Sequence, residues 1–260
     1  MLSLSVIVPC YRAGNLALHS AKRLEEGLAR HFDSWEVIVV DDGGCDISAE
    51  SLEHDGNVRV IRFAKNQGKG AAVRAGMLAA TGDVRVFTDV DLPYGIEEIP
   101  VMAKYIRHRG FHVVIGDRTL PTSIYKEELR KARRVTSSVF SAFVGRIVTG
   151  GFFDTQCGLK AFRGDVADAL FPMLSIDRFA FDVELLYVCL KARLDIKRVP
   201  VRLESNATTS VRLLRDSTQG VIDIGRIKYY QVRRRYRLAE LESIVQRDHD
   251  NAVAVQAIRG

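Results

Sequence analysis

Two acidic residues separated by one position, Asp89 and Asp91, carry the strongest chemical signal in the sequence. They directly follow an apolar segment typical of a strand, and in extended chain residues i and i+2 project to the same side. Two neighbouring carboxylates repel each other unless a proton or a cation lies between them. Because Mg²⁺ binds one or two protein carboxylates together with substrate phosphates, the pair predicts a divalent metal and a diphosphate. The alternative is a solvated turn, in which acid-x-acid also occurs.

A second acidic cluster, Asp41-Asp42-Gly43-Gly44, also follows an apolar segment. Asp and Gly dominate turns for backbone reasons, so the cluster could be a turn alone. Pro9 and Tyr11 follow the neighbouring predicted strand, and an aromatic surface beside a carboxylate can hold a nucleobase. The combination favours a nucleoside site at Asp42 and Tyr11 over a simple turn.

Residues 66–70, with the sequence NQGKG, open a predicted helix, where free N–H groups can bind a phosphate. The segment is not the nucleotide-binding loop G-x-x-x-x-G-K-[ST], because Phe63 and Gly70 occupy positions that require Gly and Ser or Thr. No G-x-G-x-x-G follows a strand either. These patterns argue against ordinary kinases, NTPases and dinucleotide oxidoreductases.

Basic residues concentrate in two segments, 130–134 (RKARR) and 226–237 (RIKYYQVRRRYR). The first begins a predicted helix, where the macrodipole opposes each cation by roughly a few tenths of a kcal/mol. Arg130, Arg133, Arg134 and Ser137, together with the free N–H groups, would hold a phosphate there, the alternative being a solvated basic face. The second segment contains interleaved tyrosines and could lie on an anionic membrane surface or be an exposed helix.

The chain has 260 residues, with 38 Lys and Arg against 32 Asp and Glu, so its formal net charge is +6. Hydrophobic residues make up 47% of the sequence, enough for a core, which excludes disorder as the dominant state. Because no run approaches the roughly 18 apolar residues of a membrane span and no signal peptide is evident, we expect a cytosolic protein. The spacing of the cysteines argues against a zinc site and a disulfide framework.

The first half of the chain alternates short β-branched runs with helical patterns, as in a mostly parallel α/β sheet. Ligands of such sheets bind beyond the carboxyl ends of the strands, where the acidic residues lie. Strands are predicted at 4–8, 36–40, 58–63, 84–88, 112–115 and 196–203. Helices are predicted at 15–30, 70–81, 130–148 and 182–193, after position 100 and from 221. Loops are predicted at 117–128 and 204–219, and the C-terminal residues are expected to fray.

The chain resembles the family 2 glycosyltransferases of GT-A fold, and within them the dolichyl-phosphate β-glucosyltransferase and polyprenyl-phosphate sugar transferase branch. The resemblance extends from about residue 5 to residue 201. It is carried by seven segments: SVIVPCYR, VVDDGG, NQGKGAAVRAGM, FTDVDLP, GDR, DTQCGLKAF and RFAFDVELL. It implies an α/β fold with a mostly parallel central sheet flanked by helices.

The resemblance implies a role for most polar residues at the strand ends. Those implied to bind the nucleotide sugar are Pro9, Tyr11, Asp42, Lys69, Asp89, Val90, Asp91 and Arg118. Asp89 and Asp91 would hold Mg²⁺ or Mn²⁺, and the implied catalytic residues are Asp182, Arg118 and Asp91. The acceptor phosphate would contact Arg130, Arg134, Ser137 and Arg202, with Asp154, Gln156, Phe181, Asp182 and Glu184 on the acceptor side.

The sequence departs from the family at three points. The family usually has a Ser-Lys pair after the last strand, where residues 205–213 read SNATTSVRL, so Arg202 or Arg212 would replace it. Asp117 stands where the family more often has Ser or Thr before the arginine. Relatives often carry a membrane helix as well, for which this sequence has no segment.

We therefore predict an inverting, metal-dependent glycosyltransferase that moves a hexose, glucose in the first hypothesis, from a UDP-linked sugar to a polyprenyl phosphate. The alternatives are a soluble hydroxyl acceptor, with Asp182 as general base, and a binding protein that senses nucleotide sugars without catalysis. Nucleic acid is not an expected partner, because acidic residues line the predicted cleft. Residues 1–220 are expected to form the catalytic domain and 221–260 a basic helix and tail, in the cytoplasm or peripherally on the cytoplasmic membrane face.

Overall fold

The computed structural model describes residues 2–44, 56–125, 154–178, 180–203, 213–233 and 235–259. In these ranges the strands are β1 (Ser3–Cys10), β2 (Ser34–Asp41), β3 (Val58–Arg62), β4 (Val84–Phe87), β5 (Val113–Asp117), β6 (Ile124–Tyr125), β7 (Lys160–Arg163), β8 (Ile196–Pro200) and β9 (Arg202–Leu203). The helices are α1 (Gly14–Leu28), α2 (Lys69–Ala79), α3 (Glu98–Arg109), α4 (Gly164–Leu170), α5 (Phe181–Lys191), α6 (Leu213–Val232) and α7 (Ala239–Arg259), with a 3₁₀ turn at Phe171–Met173.

The central sheet has the strand order β3-β2-β1-β4-β7-β5-β8. Its pairs are parallel except those made by β7, which runs antiparallel between β4 and β5. The prediction of a mostly parallel sheet flanked by helices is confirmed. Sequence patterns did not predict β7, because its two apolar residues lie between Lys160 and Arg163 and form no apolar run.

Both faces of the sheet are covered, which explains the continuous apolar runs of its strands. In β1, Ile7 packs into one hydrophobic cluster, while Val6 and Val8 pack into the cluster on the other face. All three side chains are fully buried. The alternation follows from the two-residue period of a strand.

Two predicted elements end or begin elsewhere than expected. The strand predicted at 196–203 is divided: β8 ends at Pro200, and β9 continues into a separate two-stranded sheet with β6. Proline has no N–H to donate, so a break in a strand at this residue is expected. The loop predicted at 117–128 therefore contains β6, and the loop predicted at 204–219 contains the start of α6.

The expectation that the C-terminal residues fray is wrong, because α7 extends to Arg259. Its side chains Leu241 and Ile244 join Ile227 of α6 in the hydrophobic cluster on one face of the sheet. Asp248 of α7 also accepts a hydrogen bond from the buried His112 beside β5 (3.0 Å). The division expected at residue 220 falls inside α6 and stays a prediction.

Within the described residues, no helix combines the length and the apolar character needed to cross a membrane.

Candidate active site

The strand directions bring the predicted polar residues to one edge of the sheet. Strands β1, β2 and β4 are parallel, so their carboxyl ends lie together. Strand β5 runs the same way, because it and β4 are both antiparallel to β7. The residues that follow these strands include Tyr11, Asp42, Asp89 and Arg118. Because β7 is antiparallel, its first residue, Lys160, lies at this edge as well.

Asp89 and Asp91 follow β4, and Lys69 at the start of α2 lies beside them. The Lys69 ammonium donates to Asp89 Oδ1. Burial acts to lower the pKa of Lys69, but Asp89 and Asp182 outweigh it and raise the pKa above its usual value. Burial, together with the negative charge of Asp89, raises the pKa of Asp91. The ionised form of Asp91 is therefore disfavoured by burial and by its neighbour Asp89.

Two backbone features fix this acidic turn. The hydroxyl of Ser20 on α1 donates to the carbonyl oxygen of Val90. A Cβ atom added at Gly158 would overlap the Asp89 carboxylate, so only glycine leaves room for that side chain. The first contact uses the backbone of Val90, the middle residue of the predicted site. The need for glycine at position 158 could not be predicted from the Asp89-Val90-Asp91 motif alone.

Asp42 is buried and organises the loop before α2. Its carboxylate accepts hydrogen bonds from the backbone N–H groups of Gln67 (2.6 Å) and Gly68 (2.8 Å) and from the Asn66 side chain (2.9 Å). Burial raises the pKa of Asp42 against the lowering effect of the two N–H groups. The structure therefore shows Asp42 supporting the glycine-rich loop that presents Lys69.

Tyr11 presents its ring at the same edge, beyond the buried Pro9. Its side chain is 44% exposed, and the Arg12 guanidinium lies 5.2 Å from the ring centroid. Arg12 has a φ of 50°, an uncommon value for a residue with a side chain. An exposed ring on a fixed turn is suited to stacking against a planar ligand.

Arg118 is held by a two-point ion pair with Asp154. Its Nε and Nη2 atoms lie 2.9 and 2.7 Å from the two carboxylate oxygens, and its backbone N–H also donates to Asp154. Burial would raise the pKa of Asp154, but Arg118 outweighs it and the pKa is lowered. The preceding Asp117 bonds Arg198 (2.5 Å) and Thr119, so it supports the turn from below.

Asp182 at the start of α5 forms a buried ion pair with Lys160. The Lys160 ammonium lies 2.5 Å from Asp182 Oδ1 and 2.7 Å from the Cys157 carbonyl oxygen, over the ring of Phe87. The Lys160 side chain is 0% and that of Asp182 4% exposed. Burial raises the pKa of Asp182, opposed by the charges of Lys160 and Lys69. Sequence reasoning missed Lys160, whose only signal was a lysine within the apolar segment GLKAF.

The remaining predicted residues are placed unevenly. Arg202 is exposed on the two-stranded sheet. Glu184 is fully buried, away from solvent, and accepts hydrogen bonds from the backbone of residues 175 and 176. Arg130, Arg134, Ser137 and Arg212 lie outside the described residues.

In the described ranges, no three His, Cys, Asp or Glu side chains gather as a metal site. The two carboxylates of Asp89 and Asp91 nevertheless suit Mg²⁺ or Mn²⁺, which need few protein ligands when a substrate diphosphate supplies others. Burial and the neighbouring carboxylate of Asp89 disfavour the ionised form of Asp91, and a cation bound by the two carboxylates would relieve their repulsion.

Solved structures share this architecture. Mannosyl-3-phosphoglycerate synthase from Rubrobacter xylanophilus has a TM-score of 0.61 at 15% identity, over 92% of this chain and 76% of that one. Glucosyl-3-phosphoglycerate synthase from Mycobacterium tuberculosis, in complex with Mn²⁺, UDP and its product, has a TM-score of 0.63 at 19% identity, over 87% and 80%. The strand order and the likeness to these structures show the GT-A fold.

The family model described as Glycosyl transferase family 2 matches residues 5–171, and the chain belongs to that family. It is 31% identical over 242 residues to a dolichyl-phosphate beta-glucosyltransferase from Dictyostelium discoideum, covering 87% of this chain and 74% of the relative. It is 34% identical over 221 residues to the Drosophila melanogaster protein of the same name, covering 77% and 67%. The predicted resemblance is thus confirmed.

Proposed function

We propose that this glycosyltransferase moves a glucosyl group from a UDP-linked donor to a polyprenyl phosphate, with inversion at the anomeric carbon. The observation that carries the proposal is the similarity to dolichyl-phosphate beta-glucosyltransferases along most of the chain. The site agrees with it, because both cationic and acidic side chains lie at the edge of the sheet where the donor diphosphate and the acceptor phosphate would bind.

Asp89 and Asp91 would hold Mg²⁺ or Mn²⁺ together with the donor diphosphate. Such an ion neutralises the negative charge that develops on the departing diphosphate. Lys69 lies beside Asp89, and Arg118 is held by Asp154. Both cations would bind oxygens of the donor diphosphate. Tyr11 would stack on the nucleobase, and the loop held by Asp42 would carry Lys69 to the phosphates. Mn²⁺ and UDP are also named for the M. tuberculosis synthase of the same fold.

The state of Asp182 favours a phosphate acceptor over a hydroxyl. A hydroxyl must lose a proton as it attacks, whereas a monophosphate, with a second pKa of about 6, arrives already ionised. One oxygen of the Asp182 carboxylate already accepts from Lys160, and the side chain is buried. Asp182 therefore orients neighbouring groups, and Arg130, Arg134 and Ser137 receive the acceptor phosphate.

In this reaction an acceptor phosphate oxygen forms a bond to the anomeric carbon from the side opposite the nucleotide. The bond from that carbon to the diphosphate oxygen breaks, and its electron pair leaves with UDP. No proton needs to be removed from an ionised acceptor. The chain's own residues contribute position and charge rather than a general base.

We also propose that α6 lies peripherally on the membrane that carries the acceptor, at its cytoplasmic face. Ile222, Arg226, Tyr229 and Arg233 follow one another at helical spacing along one side, and all four are exposed. Apolar and aromatic groups interleaved with cations are suited to an anionic lipid surface.

The test combines donor binding with transfer. Thermal unfolding with Mn²⁺ and UDP, GDP or TDP should show the largest stabilisation with UDP, because a ligand of the native state raises its stability.

Glucosyl transfer from UDP-glucose to polyprenyl phosphate in anionic vesicles should then fall in Arg134→Ala through a higher acceptor KM. Asp182→Asn, whose amide oxygen can still accept from Lys160, should keep most of the turnover.

If Asp182→Asn abolished turnover while Arg134→Ala left the acceptor KM unchanged, a hydroxyl acceptor would replace the lipid phosphate. Metal-dependent binding of UDP-glucose without transfer or hydrolysis would instead indicate a nucleotide-sugar binding protein.

A further inference from the structure

The segment between α6 and α7 reaches the interior of the molecule through Tyr236. Its hydroxyl donates to Glu184 Oε1 (2.9 Å), and its ring packs against the rings of Tyr187 and Tyr230. Burial and the negative charge of Glu184 raise the pKa of Tyr236, so the hydroxyl stays protonated and remains a donor. The contact joins position 236, beyond the residues matched by the family model, to helix α5.

Glu184 passes this constraint to the turn that precedes α5. Its other oxygen, Oε2, accepts hydrogen bonds from the backbone N–H groups of Ser175 and Ile176, both at 2.8 Å. The residue is fully buried, so these three contacts take the place of water. One oxygen of Glu184 therefore binds the backbone of the turn, and the other binds the hydroxyl of Tyr236.

This turn lies directly against the glycine-rich loop that carries Lys69. Cβ atoms at Gly68 and Gly70 would overlap the carbonyl oxygens of Asp177 and Ile176, so the two backbones lie in direct contact. The Asp177 carbonyl also accepts from the N–H of Ala71 (3.1 Å). At its other end the same loop bonds Asp42 through Gly68 N–H.

Arg74 of α2 also binds this turn. Its guanidinium lies 2.6 Å from Asp177 Oδ1 and donates to the Leu174 carbonyl oxygen (3.2 Å). The glycine-rich loop and α2 therefore both contact this turn, and Glu184 binds the turn from α5.

We propose that Tyr236 and Glu184 are positioning residues for the nucleotide-sugar donor, which make the segment between α6 and α7 a working part of the donor site. Tyr236 holds Glu184, Glu184 holds the turn at residues 175–177, and the turn holds the glycine-rich loop that places Lys69 beside Asp89. The inference rests on the proposed function for the identity of the donor. It assigns donor affinity to residues outside the matched family region.

The experiment measures binding of UDP with Mn²⁺ by titration calorimetry, and steady-state kinetics with UDP-glucose, on the full chain. Tyr236→Phe removes one oxygen atom and should raise the Kd of UDP and the donor KM by roughly five- to tenfold, the effect of one ordinary hydrogen bond. The kcat at saturating donor should stay within about twofold, because a positioning residue touches no reacting atom. Glu184→Met, which loses all three contacts, should weaken binding further.

Tyr105→Phe is the matched control. Tyr105 belongs to α3 and packs with Phe111 on the opposite face of the sheet, so it should change neither the Kd nor the KM. A lower Tm for Tyr236→Phe at unchanged Kd and KM would show a purely structural role and overturn the proposal. An equal rise in both variants would overturn it too. If the wild-type chain binds GDP or TDP instead of UDP, the proposed donor fails, and the same comparison is made with the nucleotide that binds.

Discussion

Asp89 can occupy its place only because position 158 is glycine. The residues of the segment DTQCGLKAF pass so close to β4 that any side chain there would displace the carboxylate. A shift of about 1 Å in a catalytic site can cost on the order of a hundredfold in rate. A glycine far from Asp89 in sequence is therefore part of the proposed metal site.

Gly158→Ala should lower kcat/KM by roughly a hundredfold and weaken the response of Tm to Mn²⁺ with UDP. The fold should survive, because the Asp89 side chain is partly exposed and can rotate away. The control is Gly225→Ala in α6, where an added Cβ meets no atom within 4 Å. Equal activities of the two variants would show that Asp89 tolerates displacement.

The buried pair of Lys160 and Asp182 is expected to have a large effect on folding when either partner is removed alone. Lys160→Met leaves a buried carboxylate, and Asp182→Leu leaves a buried ammonium, each costing about 3–5 kcal/mol. The double variant should cost clearly less than the sum, because it leaves no unpaired charge. Urea unfolding of the four proteins measures this coupling, and additive losses would show that the two groups do not interact.

Among the elements, α7 owes its position to one carboxylate as well as to apolar packing. Asp248 bonds the Nε2 atom of His112 (3.0 Å) and the guanidinium of Arg163 (2.5 Å). Burial would raise the pKa of Asp248, but Arg163 and His112 outweigh it, so its pKa is lowered. A lowered pKa in the folded state stabilises the fold above the unfolded pKa, and this stabilisation is lost as pH falls through the lowered value.

Asp248→Asn should therefore lower Tm by roughly 2–4 °C at neutral pH. The difference from the wild type should shrink as pH falls below the usual aspartate pKa of about 3.9 and vanish below the lowered pKa of Asp248, where the wild-type carboxylate is protonated too. Asp250→Asn, on the exposed side of the same helix, should have no such effect. Thermal unfolding across pH decides, and a difference that persists in acid would refute the electrostatic account.

At the scale of the whole molecule, the parallel strands could be predicted because burial on both faces leaves long apolar runs such as those of β1 and β2. The meeting of the acidic strand ends could also be predicted, because parallel strands have their carboxyl ends at the same edge of the sheet. Strand β7 could not, because only two apolar residues separate its buried Lys160 from Arg163, which leaves no strand pattern.

The C-terminal helices were the hardest part to predict. Among the described residues of helix α7, only Leu241 and Ile244 are buried apolar side chains, and the hydrogen bonds of Asp248 to His112 and Arg163 join residues far apart in sequence. Nothing local in the chain indicates that Tyr236 meets Glu184 or that Lys160 meets Asp182. Such pairs depend on the finished fold, and only their residue types could be read in advance.

The small sheet of β6 and β9 has a consequence for the acceptor. Tyr125 and Leu203 are paired in register, so the chain leaves for position 126 and for position 204 from adjacent points. Arg130 follows Tyr125 by five residues, a span of at most about 17 Å even when fully extended. The chain toward Arg130, proposed to bind the acceptor phosphate, and the chain toward residues 205–213 thus start from the same small sheet, and a residue inserted after either strand would lengthen one chain relative to the other.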